Sequence, residues 1–184
     1  MNKYLAVVLV ICFTTWRLSG QSLYVNAQTG NDSNNGNSPQ TAWQTIQKSM
    51  DSATAGSSVW IAAGTYTEEL TLNVQGTPNN RITFRNMPNQ AVFIDGANAN
   101  RVLLNVESKK HFNIIGLMFQ HTIGNNSAGV LVSGASGDFD LRRNVIQFIR
   151  WTANANTVPT SNDNCNPLLI YGDALAAIDR KSVV

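Results

Sequence analysis

The sequence has 184 residues, 43% hydrophobic and 13% charged, with a formal net charge of +2. It is apolar enough to bury one sizeable core and too apolar for an intrinsically disordered chain. The charge is too small and too scattered to mark a nucleic-acid or membrane-surface protein, so no nucleic-acid partner is expected.

The chain starts "MNKYLAVVLVICFTTWRLSGQS", with Lys3, an apolar run from Leu5 to Phe13, and the small residues Ser19 and Gly20 ahead of Gln21. That is the layout of a secretory signal peptide, and the run is short of the roughly 20 apolar residues that span a bilayer. Residues 1–20 are therefore expected to be removed, leaving a secreted, periplasmic or cell-surface protein with no membrane association. Cys12 lacks the small preceding residue of a lipoprotein signal. Cys165 is then the single remaining thiol, which rules out an intrachain disulfide framework and reads as a small buried side chain.

A short strand, Leu23 to Asn26, runs into "NDSNNG", where Asn, Asp and Gly suit tight turns. With Asp32 as its one carboxylate, this loop lacks the spaced acidic ligands of an EF-hand and reads as a turn. Trp43, Ile46, Met50 and Ala53 then recur at helical spacing between polar residues, which predicts an amphipathic helix stopping near Gly56. From there the pattern becomes a series of short β-type runs: "VWIAAGTY", "RITFRN", "AVFIDG", "RVLLNV", "FNIIGLMFQ", "GVLVSG", "FDLRRNVIQFI" and "PLLIYG".

Many short strands suit either an antiparallel sandwich or a solenoid of parallel strands. The later runs return in the same order. "FNIIGLMFQ" is strand, Gly corner and strand; "FDLRRNVIQFI" repeats that layout, and "PLLIYG" echoes "GVLVSG". The fold class expected is all-β, a right-handed parallel β-helix of three strands per coil. Gly116, Gly134 and Asn144 would stand at its corners, and the Trp43 helix would cap its N-terminal end.

The stretches "YVNAQTGNDSNNGNSPQTAWQTIQKSM", "AGSSVWIAAGTYTEEL", "RITFRN", "VFIDG" and "IIGLMFQ" resemble the N-terminal portion of secreted bacterial right-handed parallel β-helix proteins of the pectate-lyase-like superfamily. The resemblance covers residues 23–178 and implies the fold more specifically than an activity, because relatives include lyases, glycoside hydrolases, epimerases and proteins without known catalysis. It implies a polysaccharide partner containing uronate. Lyases of the superfamily work by β-elimination, in which a base removes the proton beside the carboxylate and Ca²⁺ or an Arg stabilises the developing charge.

In the families it resembles, the catalytic Lys and calcium-binding Asp cluster come from later coils, so no catalytic residue or cofactor is assigned to this chain. Ca²⁺ is an expectation for the full-length protein alone. Asp138 and Asp140, two apart on one strand, should point the same way, with Arg142 and Arg143 following at the corner. Together they are either a uronate-binding cluster or a solvated strand edge. Asp173 in "IYGD" and Asp163 in "TANANTVPTSNDNCN" are further candidates, because a long insertion between coils can wall a groove. Lys109, Lys110 and His111 read as an exposed turn, His121 as structural, and Glu68 and Glu69 as parts of an early coil.

The last residues, "DRKSVV", read as a translated sequencing adapter, so 21–178 is expected to be the N-terminal part of a longer β-helix and 179–184 a non-native tail. The leading functional expectation is an exported polysaccharide lyase, inactive in this portion. A non-catalytic carbohydrate-binding β-helix and a glycoside hydrolase on the same fold are the alternatives, the latter needing two carboxylates about 5–10 Å apart.

Overall fold

The computed structural model describes residues 20–171, apart from 100, 155, 159 and 161–163. Asp163, Asp173 and the 179–184 tail lie outside the described residues, as do residues 1–19 of the expected signal peptide. The chain opens with β1 (Ser22–Val25), a 3₁₀ turn (Pro39–Thr41) and the helix α1 (Ile46–Ser52). Strands then follow in triplets: β2 (Ser58–Ile61), β3 (Gly64–Tyr66) and β4 (Leu70–Thr71); β5 (Ile82–Asn86), β6 (Val92–Ala99) and β7 (Val102–Glu107). The later coils are β8 (Lys110–Ile115), β9 (Met118–Ile123) and β10 (Ser127–Ser133), then β11 (Gly137–Arg142), β12 (Val145–Arg150) and β13 (Cys165–Ile170).

Each strand pairs in parallel with its counterpart one coil away, giving a first sheet β1-β2-β5-β8-β11, a second β3-β6-β9-β12 and a third β4-β7-β10-β13. This is the right-handed parallel β-helix expected from the returning pattern. Phe139 aligns with Phe112, Val145 with Met118, and Val130 with Leu168. Inward side chains repeat coil upon coil, as in the row Leu23, Val59, Phe84, Ile114 and Leu141. The Phe112 and Phe139 rings stack with centroids 5.2 Å apart. Tyr66, Ile94 and Phe119 form a matching buried row on the second sheet.

The N-terminal helix is shorter than its apolar stripe. Trp43 is not in α1: it is extended, bridges Val25 in parallel, and its Nε1 donates to the Asn34 carbonyl at 2.8 Å. The cause is the polar loop before it. The Asp32 carboxylate accepts from the Gln44 and Thr45 N–H groups and the Thr45 hydroxyl, while Thr45 Oγ1 caps the helix by accepting from Lys48 N–H. Ala53 ends the helix three residues ahead of Gly56, which turns the chain towards β2 at φ +85°.

The helix covers the open edge of β4, a strand that the sequence runs did not include. The Gln47 amide donates to the Thr71 carbonyl and accepts from the Thr71 N–H, at 3.0 and 2.8 Å, taking the place of a neighbouring strand. Glu68 is a fold element: its carboxylate accepts from the Ile46 and Gln47 N–H groups at 3.1 and 2.9 Å. Burial pushes its pKa up, against those two hydrogen bonds, and the nearby Asp32 charge adds to the rise.

Candidate functional site

The outward face of the first sheet carries the sequence-derived cluster. Asp138 and Asp140 do point the same way, and both reach Arg81 two coils back: its guanidinium pairs with Asp138 and stands 3.6 Å from Asp140. The other oxygen of Asp138 meets His111 Nδ1 at 2.5 Å, and Arg142 donates to Asp140 at 2.6 Å. His111 is thus within β8, half-buried against a carboxylate, and not in an exposed turn. Arg81 and His111 were missed because they become neighbours of Asp138 only when three coils are stacked in register. The arrangement staples those coils together. It does not suit calcium, since each carboxylate already faces a guanidinium. Among the described residues no group of three or more His, Cys, Asp or Glu side chains could hold a metal ion.

Arg143 leaves this cluster. It stands at the corner between the first and second sheets, at φ +54°, in the position that Gly116 occupies one coil earlier. Asn144, expected to supply the left-handed turn, instead ties the coils together: its side chain accepts from Leu117 N–H and donates to the Ile114 carbonyl, both at 2.9 Å.

At this corner lies an open groove of about 650 Å³, lined by Arg85, Asn86, Gln90, Met118, Arg143 and Val145 among others. Arg85 is held in place by Trp60, over whose ring its guanidinium carbon lies 4.5 Å from the centroid. Its Nε is buried without a hydrogen-bond partner among the described residues. Neither Arg85 nor Arg143 has an acidic partner among the described residues, unlike Arg81, Arg101 and Arg142. The groove wall is firm, because the Asn86 amide donates to the Gln90 carbonyl at 2.7 Å and Gln90 accepts from Ala63 N–H at 2.7 Å. Two guanidinium groups without acidic partners among the described residues stand beside amide side chains, a set of donors chemically suited to carboxylate and hydroxyl oxygens.

Further along the second sheet, His121 Nδ1 bonds Asp95 at 2.8 Å and Gln120 donates to the same oxygen at 2.9 Å. Burial pushes the pKa of Asp95 up, but hydrogen bonds from His121, Gln120 and the Ala97 N–H, with the His121 charge, outweigh it and hold the carboxyl below the usual range. Such a group contributes stability above its unfolded value of about 3.9 that is lost as pH falls through the lower folded value. The thermal midpoint should therefore drop more steeply below about pH 4 in the wild-type chain than in Asp95→Asn. Parallel acid limbs in a pH series of melting curves would contradict this.

No family model matches the chain. An uncharacterized protein of Bacillus subtilis, YwoF, is 35% identical over 144 residues, covering 73% of this chain and 30% of that one. A solved rhamnogalacturonan lyase superposes with a TM-score of 0.54 at 16% identity, over 71% of this chain and 38% of that one. The pectate lyase Pel9A superposes with a TM-score of 0.53 at 18% identity, over 68% and 33% of the two chains. The fold is the parallel β-helix of these two lyase structures. The chain spans less than two-fifths of the length of each of these relatives.

Proposed function

We propose that this chain is part of an exported β-helix protein that grips uronate-containing polysaccharide through the Arg85–Arg143 groove, the whole protein cleaving it by β-elimination. The observation that carries the reading is the groove itself: two arginines without acidic partners at one coil corner, one fixed on Trp60. The fold shared with a rhamnogalacturonan lyase and a pectate lyase supports it. A guanidinium pair on the uronate carboxylate would orient the ring and withdraw charge from the carbon whose proton a base must take. A second reading, a carbohydrate-binding β-helix without catalysis, is favoured by the pairing of Asp138 with Arg81 and of Asp140 with Arg81 and Arg142, which leaves that face without a spare base.

The test is calorimetric titration with trigalacturonate and with its methyl ester. Binding should be salt-sensitive and tighter for the free acid than for the ester. Arg143→Ala should weaken it about ten-fold or more, since a hydrogen bond between charged partners contributes about 1.5–3 kcal/mol. Equal affinity of wild type and Arg143→Ala for the free acid would refute the groove as the binding site.

A further inference from the structure

The second sheet carries a feature that the groove does not use. Strand alternation along β9 puts Phe119 inside and Gln120 outside, and would put His121 inside again. His121 instead has φ +57°, and Phe148, its register neighbour on β12, has φ +54°. The left-handed residues turn both strands alike and leave the β9–β12 register unbroken, so Gln120 and His121, and likewise Gln147 and Phe148, share the outer face while Thr122 stays buried and Ile149 packs on the core.

A bulky residue at positive φ is strained, and the result here is an aromatic ring left 51% exposed. The Phe148 and His121 rings are stacked, with centroids 5.1 Å apart and planes 17° from parallel. Asp95 locks the imidazole through Nδ1, and His121 Nε2 has no partner among the described residues. Beside the rings runs an amide ladder, in which Gln147 donates to Gln120 at 2.9 Å and Gln120 to Asp95. Core packing would not select this combination, since the ring is outside. A flat apolar face edged by the fixed Gln147 amide matches the C–H face and a hydroxyl of a pyranose ring.

From this geometry we infer that Phe148 and His121 form a stacking platform for a sugar ring, a second subsite distinct from the arginine groove. Met118 and Val145 line the groove, and His121 and Phe148 follow three residues along the same two strands, about 10 Å away at about 3.3 Å per residue. One oligosaccharide chain can therefore lie on both. The inference rests on the polysaccharide reading for its ligand class, but the platform is blind to charge where the groove is not.

Titration of four proteins (wild type, Phe148→Ala, Phe148→Trp and Arg143→Ala) with hexagalacturonate and with its methyl ester separates the two sites. Phe148→Ala should weaken both ligands by a similar factor of about five, and Phe148→Trp should preserve or strengthen both. Arg143→Ala should affect the free acid alone. If Phe148→Ala lowers the melting temperature but leaves both affinities unchanged, the stack is structural and the platform is refuted, whatever Arg143→Ala does. A loss in Phe148→Ala with none in Arg143→Ala upholds the platform and refutes the groove. Absence of binding by the wild type to either ligand refutes both.

Discussion

Replacing Phe112 by alanine is expected to lower stability by about 3–5 kcal/mol, the range for emptying a buried aromatic site. Phe112 is fully buried, stacks on Phe139 one coil ahead, and aligns with Ile82 one coil behind. Its loss therefore weakens two coil interfaces at once, and coil interfaces are what a solenoid's stability is summed from. The measurement is the shift of the urea unfolding midpoint, with Val158→Ala as the comparison. Val158 is 82% exposed, and its truncation should change stability by less than about 0.5 kcal/mol. Similar midpoints for the two variants would contradict the inward placement of the Phe112 row.

Gly116→Ala is the second change with a large expected effect, and it links the fold to the groove. Gly116 has φ +72°, and a Cβ there would stand 2.2 Å from Asn86 Oδ1 and 2.8 Å from its Cγ. The left-handed backbone costs a non-glycine residue about 1–2 kcal/mol, and forcing the contact apart adds about 1–3 kcal/mol. Asn86 cannot move freely, because its amide holds the Gln90 carbonyl across the groove wall. A destabilisation of about 2–5 kcal/mol is expected, with weaker binding of trigalacturonate as the wall shifts. In a double-mutant cycle, Asn86→Ala should recover part of the loss caused by Gly116→Ala. Strict additivity of the two changes would show that the close approach is not what selects glycine here.

The parallel stacking was legible because the runs return in order: Phe112 foreshadows Phe139, and "GVLVSG" foreshadows "PLLIYG" at a pairing of Val130 with Leu168. The helix boundary was not, because the apolar stripe from Trp43 to Ala53 has the right period while its limits are set by the Asp32 and Thr45 side chains. Among the site candidates, Asp138 and Asp140 were correctly placed on one face. Their partner Arg81 lies two coils away, a distance that no local spacing reveals. Arg142 and Arg143 are adjacent in sequence yet serve different places, since the left-handed turn at Arg143 swings the chain around the corner. Trp60 and Arg85 become neighbours only through the parallel register of β2 and β5. His121 and Phe148 carry no glycine-like signal for their left-handed backbone, so alternation alone would have placed both rings inside.

The most direct test of the binding groove is a titration of the ¹⁵N-labelled protein with trigalacturonate, following the arginine guanidinium resonances. Those of Arg85 and Arg143 should move together and saturably, while those of Arg81 and Arg142, already held by carboxylates, should stay where they are. Saturation by the ligand with Arg85 and Arg143 unmoved would contradict the assignment of the groove.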